Sequence, residues 1–392
     1  MTIYSQLGVR TVVNARGNAT LAGGTLMAPH VVEAMVEAAR SFVRIGDLQD
    51  AASELISELT GAEGGYVTSG AAAALTLGAA AMLARLEPDR MDQLPDTRDG
   101  PSEILVQRSH RNPYDHLVRA SGARLVEFGD AGGGTADEMA AGIGPATAGA
   151  FYHGQAEALG LPIVDFARTA HEHGLPVLVD ASMNLPPRDN LRRFIAAGAD
   201  LVAFSGGKTI GGPQASGFLA GRADLLLSVG LQQQDMDVQP ATWARRALLE
   251  TGALPRPPQH GIGRSMKTGK EEIVGLLVAL RDYAERDEAA ERRRWVALTD
   301  ELAGQLALIP GLATRTEPAQ ADGRPVPMTI VCVDPDVYGR TAVEVVRAFE
   351  TADPIVMLGD HEAEAGILRL DPENLDEDAV TAIVEAFRRV AP

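Results

Sequence analysis

Short apolar runs alternate with longer amphipathic stretches through the first two thirds of the chain. "EILVQ" (103–107), "RLVEFG" (124–129), "GAFYH" (149–153), "PVLVD" (176–180), "LVAFS" (201–205) and "GFLAG" (217–221) read as buried strands. Such runs suit strands covered on both faces. Between them, "IVDFARTAHEHG" (163–174) and "DNLRRFIAAG" (189–198) carry helical spacing and end in glycine, a common helix stop. The alternation predicts βαβ units and a largely parallel sheet. The polar, proline-bearing segment 86–102, "LEPDRMDQLPDTRDGPS", reads as a surface loop.

The pattern changes after residue 255. "LPRPPQHG" (254–261) reads as a connection. Ile273, Leu276, Leu277, Leu280 and Tyr283 then follow at helical spacing, and Trp295, Leu298, Leu302 and Leu306 continue it. This predicts a long, broken helix leading into a smaller α+β domain. That domain has strands at 328–333 and 366–371 and helices at 341–350 and 377–390. The expected organisation is an N-terminal segment (1–45), a large α/β domain (46–255), and a linker helix with a small C-terminal domain (256–392).

The chain has 392 residues and a formal net charge of −18. So acidic a balance argues against a nucleic-acid surface, which needs a basic patch. A single cysteine, Cys332 in the apolar run "MTIVCVD", excludes a disulfide framework within the chain and reads as a core residue. The opening "MTIYSQLGVRTVV" lacks the charged and apolar regions of a signal peptide, and no apolar run approaches a membrane span. The expectation is a cytoplasmic protein without a membrane partner.

Ligands of open α/β sheets gather at the carboxyl ends of strands, and four loops fall there. Thr68, Ser69 and Gly70 open an alanine-rich helix, whose free N–H groups suit a phosphate; the same residues also read as an ordinary cap. His110 follows a strand in "QRSHRNPYDH", where it could stack on a ring or move a proton; alone it reads as a surface histidine. Asp180 ends "PVLVD", where a buried carboxylate needs a cation such as a protonated ring nitrogen. Lys208 sits in "FSGGKTIGGPQASG" (204–217), where desolvation would favour Schiff-base chemistry and glycines would let backbone approach a ligand. Neither G-x-x-x-x-G-K-[ST] nor G-x-G-x-x-G is present there. Together the four loops offer a phosphate cup, a ring stacker, a partner for a ring nitrogen and an amine. Pyridoxal 5'-phosphate needs those four things. Two histidines in "HEHG", His171 and His173, do not face one another on a helix, which disfavours a metal hydrolase. No metal site is expected.

The chain resembles fold-type I pyridoxal-phosphate enzymes, in the branch of bacterial selenocysteine synthase and D-glucosaminate-6-phosphate ammonia-lyase-like proteins. "VVNARGNATLAGGTLMAP" (12–29), "ELTGAEGGYVTSGAAAAL" (58–75), "VDASMNLPP" (179–187), "SGGKTIGGPQASG" (205–217) and "GIGRSMKTGKEEIVGLLVAL" (261–280) carry the resemblance. It implies that Lys208 holds the cofactor as an aldimine and then acts as acid and base. It implies that Asp180 pairs with the pyridine nitrogen and that His110 lies on the ring. Thr68, Ser69, Gly70, Ser182 and Ser205 complete the cofactor site. Arg264, Lys267 and Lys270 are candidate anion ligands, and Arg369 is one for a substrate carboxylate. Such enzymes are homodimers or larger, with shared active sites. Where relatives often carry arginine after the lysine loop, this chain has Gly211.

The function expected is a lyase that releases ammonia from an amino acid or amino sugar acid and leaves a keto acid. A racemase, a β-replacement transferase and a retro-aldol enzyme keep the same cofactor and differ in the bond broken. A non-catalytic protein of this fold would lack the lysine or the aspartate.

Overall fold

The computed structural model describes residues 2–98, 100–234 and 239–391. The chain divides into two compact units, Met1–Leu26 with Glu285–Pro392, and Met27–Ala284. Its strands are β1 (Val12–Ala15), β2 (Gly64–Thr68), β3 (Glu103–Gln107), β4 (Arg124–Phe128), β5 (Thr147–His153), β6 (Val177–Asp180), β7 (Leu201–Ser205), β8 (Gly217–Gly221), β9 (Leu312–Glu317), β10 (Met328–Val333), β11 (Ile355–Leu358) and β12 (Ile367–Leu370).

In the second unit seven strands form one sheet, in the order β2-β8-β7-β6-β5-β3-β4. β4, β3, β5, β6 and β7 pair in parallel. β8 runs antiparallel to both β2 and β7. The runs read as strands are all strands, and β6 and β8 are buried along their whole length. The helix Ala71–Ala84 is apolar all round and packs against the sheet, as an enclosed helix must. A Cβ at its Gly78 would come within 3.0 Å of Leu178 on β6, so small residues set the close approach.

Packing draws the units differently from the boundaries at 45/46 and 255/256 read in the sequence. The helix Lys270–Glu285 lays Ile273, Leu276, Leu280 and Tyr283 into the same core as Val179 and Val202. Each large side chain so buried contributes roughly 1.5–3 kcal/mol, which ties the helix to the large sheet. The expected break in the long helix falls at Asp287, whose carboxylate accepts from the Ala290 N–H and starts the next helix, Glu288–Leu306.

In the first unit, β9, β10 and β12 form an antiparallel sheet, and β1 pairs in parallel with β11. Two sequence expectations are corrected. The segment 86–102 is not all loop, because Pro88–Gln93 is helical and its Met91 is fully buried. Pro88 sets φ for the first turn, and Met91 anchors it. Cys332 is half-buried rather than in the core, with the Arg315 guanidinium 3.6 Å from its sulfur.

Candidate functional site

Parallel register lines up the carboxyl ends of β5, β6 and β7. His153 is opposite Asp180, and Asp180 is opposite Ala203. Ser205 closes β7, and Lys208 follows three residues on. Lys208 lines a narrow cleft with Ser182, Met183 and Ser205. Asp180, Ser182, Ser205 and Lys208 therefore come together at one edge of the sheet.

The Asp180 side chain is 6% exposed. Its Oδ1 accepts from the Ser182 N–H at 2.9 Å, and His153 Nε2 lies 4.0 Å from its Oδ2. In the same loop the Asn184 Oδ1 is buried and, among the described residues, has no hydrogen-bond partner. A carboxylate so enclosed favours a cation beside it.

His110 is not on the surface; it is 1% exposed. Its ring meets Tyr152 edge-on, with centroids 4.5 Å apart. The His153 backbone N–H donates to its Nδ1 at 3.3 Å. Nδ1 is thus an acceptor, which assigns the ring proton to Nε2. That Nε2 is buried and has no hydrogen-bond partner among the described residues. Burial, with His153 beside it, pushes the imidazole pKa down to about 4, so the ring is neutral at neutral pH.

His153 is the residue that sequence reasoning missed. It ends an apolar strand just as Asp180 does, and that position was the available signal. Its backbone holds His110 while its side chain lies near Asp180.

At the predicted phosphate cup, Gly70 caps the helix Ala71–Ala84 with φ +104°, and a Cβ there would meet only open space. The first-turn N–H groups lack intrahelical acceptors and carry the positive end of the helix dipole. Thr68 Oγ1 donates to the Gly70 carbonyl, and Ser69 Oγ donates to the Met266 carbonyl. Both hydroxyls keep lone pairs, yet their protons are committed inside the chain.

Three glycines of the lysine loop make room for close packing within the chain. A Cβ at Gly206 would meet Ser216 Oγ at 2.2 Å, and one at Gly207 would meet Gln214 Cα at 2.6 Å. A Cβ at Gly217 would press on the Ala71 nitrogen at 2.6 Å. Gly217 therefore lets β8 lie against the cup.

The proposed anion ligands are spread out. Arg264 and Lys267 line a separate cavity. Lys270 is paired with Glu271. Arg369 is in the other unit, where Glu317 (3.0 Å) and Glu362 (2.5 Å) hold its guanidinium.

Residues 12–236 match the family model of L-seryl-tRNA selenium transferase. The chain belongs to this family. It is 34% identical to a 5'-C-glycyluridine monooxygenase-decarboxylase of a Streptomyces species, over 99% of this chain and 91% of that protein. It is 30% identical to the D-glucosaminate-6-phosphate ammonia lyase of Salmonella typhimurium, over 99% of this chain and 98% of that one. A solved structure of a D-glucosaminate-6-phosphate ammonia-lyase superposes with a TM-score of 0.83 at 29% identity, covering 100% of this chain and 98% of that one.

Membership makes the protein a pyridoxal-phosphate-dependent enzyme of fold type I. The residues present fit that cofactor. Lys208 offers an amine in a cleft, Asp180 a buried carboxylate, His110 an orphaned Nε2, and Gly70 open space over a helix N-terminus. Among the described residues no cluster of three metal-ligating side chains occurs, and no helix is long and apolar enough to cross a membrane.

Proposed function

We propose that this enzyme is a carbon–nitrogen lyase that removes ammonia from an amino acid or amino sugar acid and leaves a keto acid. The observation that carries the reading is Lys208 in one cleft with Ser182 and Ser205, in the loop after β7, next to the strand that ends in buried Asp180, in a chain similar end to end to an ammonia lyase. When bound, pyridoxal phosphate supplies an electron sink for the substrate carbon. Asp180 keeps negative charge beside the ring nitrogen. The backbone N–H groups at Gly70 and the first helical turn would hold its phosphate, joined by the Thr68 and Ser69 hydroxyls once these turn from their carbonyl partners. Lys208 anchors the cofactor and carries the proton taken from the α-carbon. Neutral His110 would keep water from the bound ring and offer it the Nε2–H that has no other partner among the described residues.

The enzyme is proposed to work in the cytoplasm on a small molecule, as a homodimer or larger. Exposed Leu26, Val32, Val36, Phe42, Val43 and Ile45 support assembly, because runs of exposed apolar side chains mark interfaces.

A second reading has its own support in the 34% identity to a monooxygenase-decarboxylase. There the substrate would lose carbon dioxide with dioxygen as oxidant. Assays of candidate amino acids with and without air separate the two. Ammonia and keto acid formed anaerobically support the lyase. Turnover that requires dioxygen and releases carbon dioxide overturns it.

A further inference from the structure

His153 closes β5 directly opposite Asp180, which closes β6. Paired residues on neighbouring strands project from the same face, so the imidazole and the carboxylate share one side of the sheet. The six residues before His153 on β5 are all buried, and its own side chain is 14% exposed.

Three contacts fix this strand end. The His153 N–H donates to His110 Nδ1 at 3.3 Å. Gly154 lies so near the Asp180 loop that a Cβ there would come within 2.5 Å of Asn184 Oδ1 and 2.9 Å of the Asp180 carbonyl oxygen. Glu157, on the turn that follows, accepts two bonds from Arg193, at 2.6 and 3.0 Å. That pair occupies the acidic side chain closest in sequence to His153. Among the described residues, the carboxylate within 4.0 Å of the His153 ring is that of Asp180.

Asp180 gives one oxygen, Oδ1, to the Ser182 N–H, and His153 Nε2 faces the other, Oδ2, at 4.0 Å. A hydrogen bond needs about 2.7–3.2 Å, so a side-chain shift of roughly 1 Å would complete one. Contacts of this kind are often long until a ligand arrives and then tighten around it.

We propose that His153 is a positioning residue of the cofactor site: its imidazole steadies the Asp180 carboxylate, and through it the hold on the cofactor's ring nitrogen. An N–H donated to a carboxylate favours its charged form, and a protonated ring nitrogen needs that charge beside it. The inference rests on Asp180 as the partner of the ring nitrogen. It holds whichever substrate bond the enzyme breaks.

The test compares pyridoxal 5'-phosphate with its 1-deaza analogue, in which C–H replaces the ring nitrogen. The full chain, freed of cofactor, is titrated with each, and affinity is read from the absorbance change and from equilibrium dialysis. Wild type should prefer the natural cofactor, and Asp180→Asn should abolish that preference. His153→Leu should bind pyridoxal phosphate about tenfold more weakly, the effect of one charge-assisted hydrogen bond, yet bind the analogue as wild type does. His153→Asn, too short to reach Asp180, should behave like the leucine variant. His153→Gln keeps an N–H at similar reach and should recover most of the loss.

Equal losses for the two cofactors in His153→Leu and His153→Asn would show a packing role and overturn the proposal. Unchanged affinity for pyridoxal phosphate in those variants overturns it too, as does a glutamine variant that recovers nothing. If Asp180→Asn keeps the preference, the Asp180 assignment falls and this inference falls with it. If Asp180→Asn abolishes the preference while the His153 variants match wild type, this inference alone falls.

Discussion

His110 and His153 show how burial decides the chemistry of a residue type. His110 sits against Tyr152 with its pKa pushed down to about 4, whereas an unfolded chain holds histidine near 6.5. Above pH 6.5 the ring is neutral in both states and stability is unaffected. Between about pH 6.5 and 4 the unfolded ring takes a proton that the folded one refuses, so stability falls with pH in that window. Melting temperatures measured across it should drop more steeply in the wild type than in His110→Gln. Equal slopes would contradict the buried, neutral assignment. The sequence placed His110 at a strand end correctly. It could not show that the backbone of His153, more than forty residues away, fixes the ring's proton on Nε2. That contact depends on β3 and β5 lying side by side, which no local pattern encodes.

Strands were the most legible elements, because parallel strands buried on both faces leave continuous apolar runs. The reversed direction of β8 was not legible. An apolar run carries no sign of its polarity, and the loop 206–216 is long enough for either course. Its glycines were visible, but their purpose was not. Gly217 faces Thr68 across the β2–β8 ladder, and a Cβ there would come within 2.6 Å of the Ala71 nitrogen at the helix start. Gly217→Ala should therefore wedge the cup from β8 and destabilise the protein by about 1–3 kcal/mol, as overpacking does. Chemical denaturation should show the loss, and cofactor titration should show weaker retention. Wild-type stability in the variant would mean that the backbone contact is not as close as described.

At the scale of the whole molecule, the acidic charge disfavours a nucleic-acid surface, and the end-to-end similarity to an ammonia lyase is consistent with a small-molecule substrate. Fold class and cofactor were readable because four strand-end loops each kept their chemistry in the sequence. The apolar side chains left exposed before residue 46 argue for a dimer or larger. Light scattering at micromolar concentration should give at least twice the 41.3 kDa of one chain, and a monomeric mass would contradict shared active sites. The covalent anchor is tested most directly by chemistry. The chain has three lysines, Lys208, Lys267 and Lys270, so a cofactor fixed by borohydride has three places to be. Peptide mapping by mass spectrometry after reduction should place the pyridoxyl group on the peptide containing Lys208, and Lys208→Ala should lose it together with the visible absorbance band. A label on Lys267 or Lys270, or a band that survives Lys208→Ala, would contradict the account.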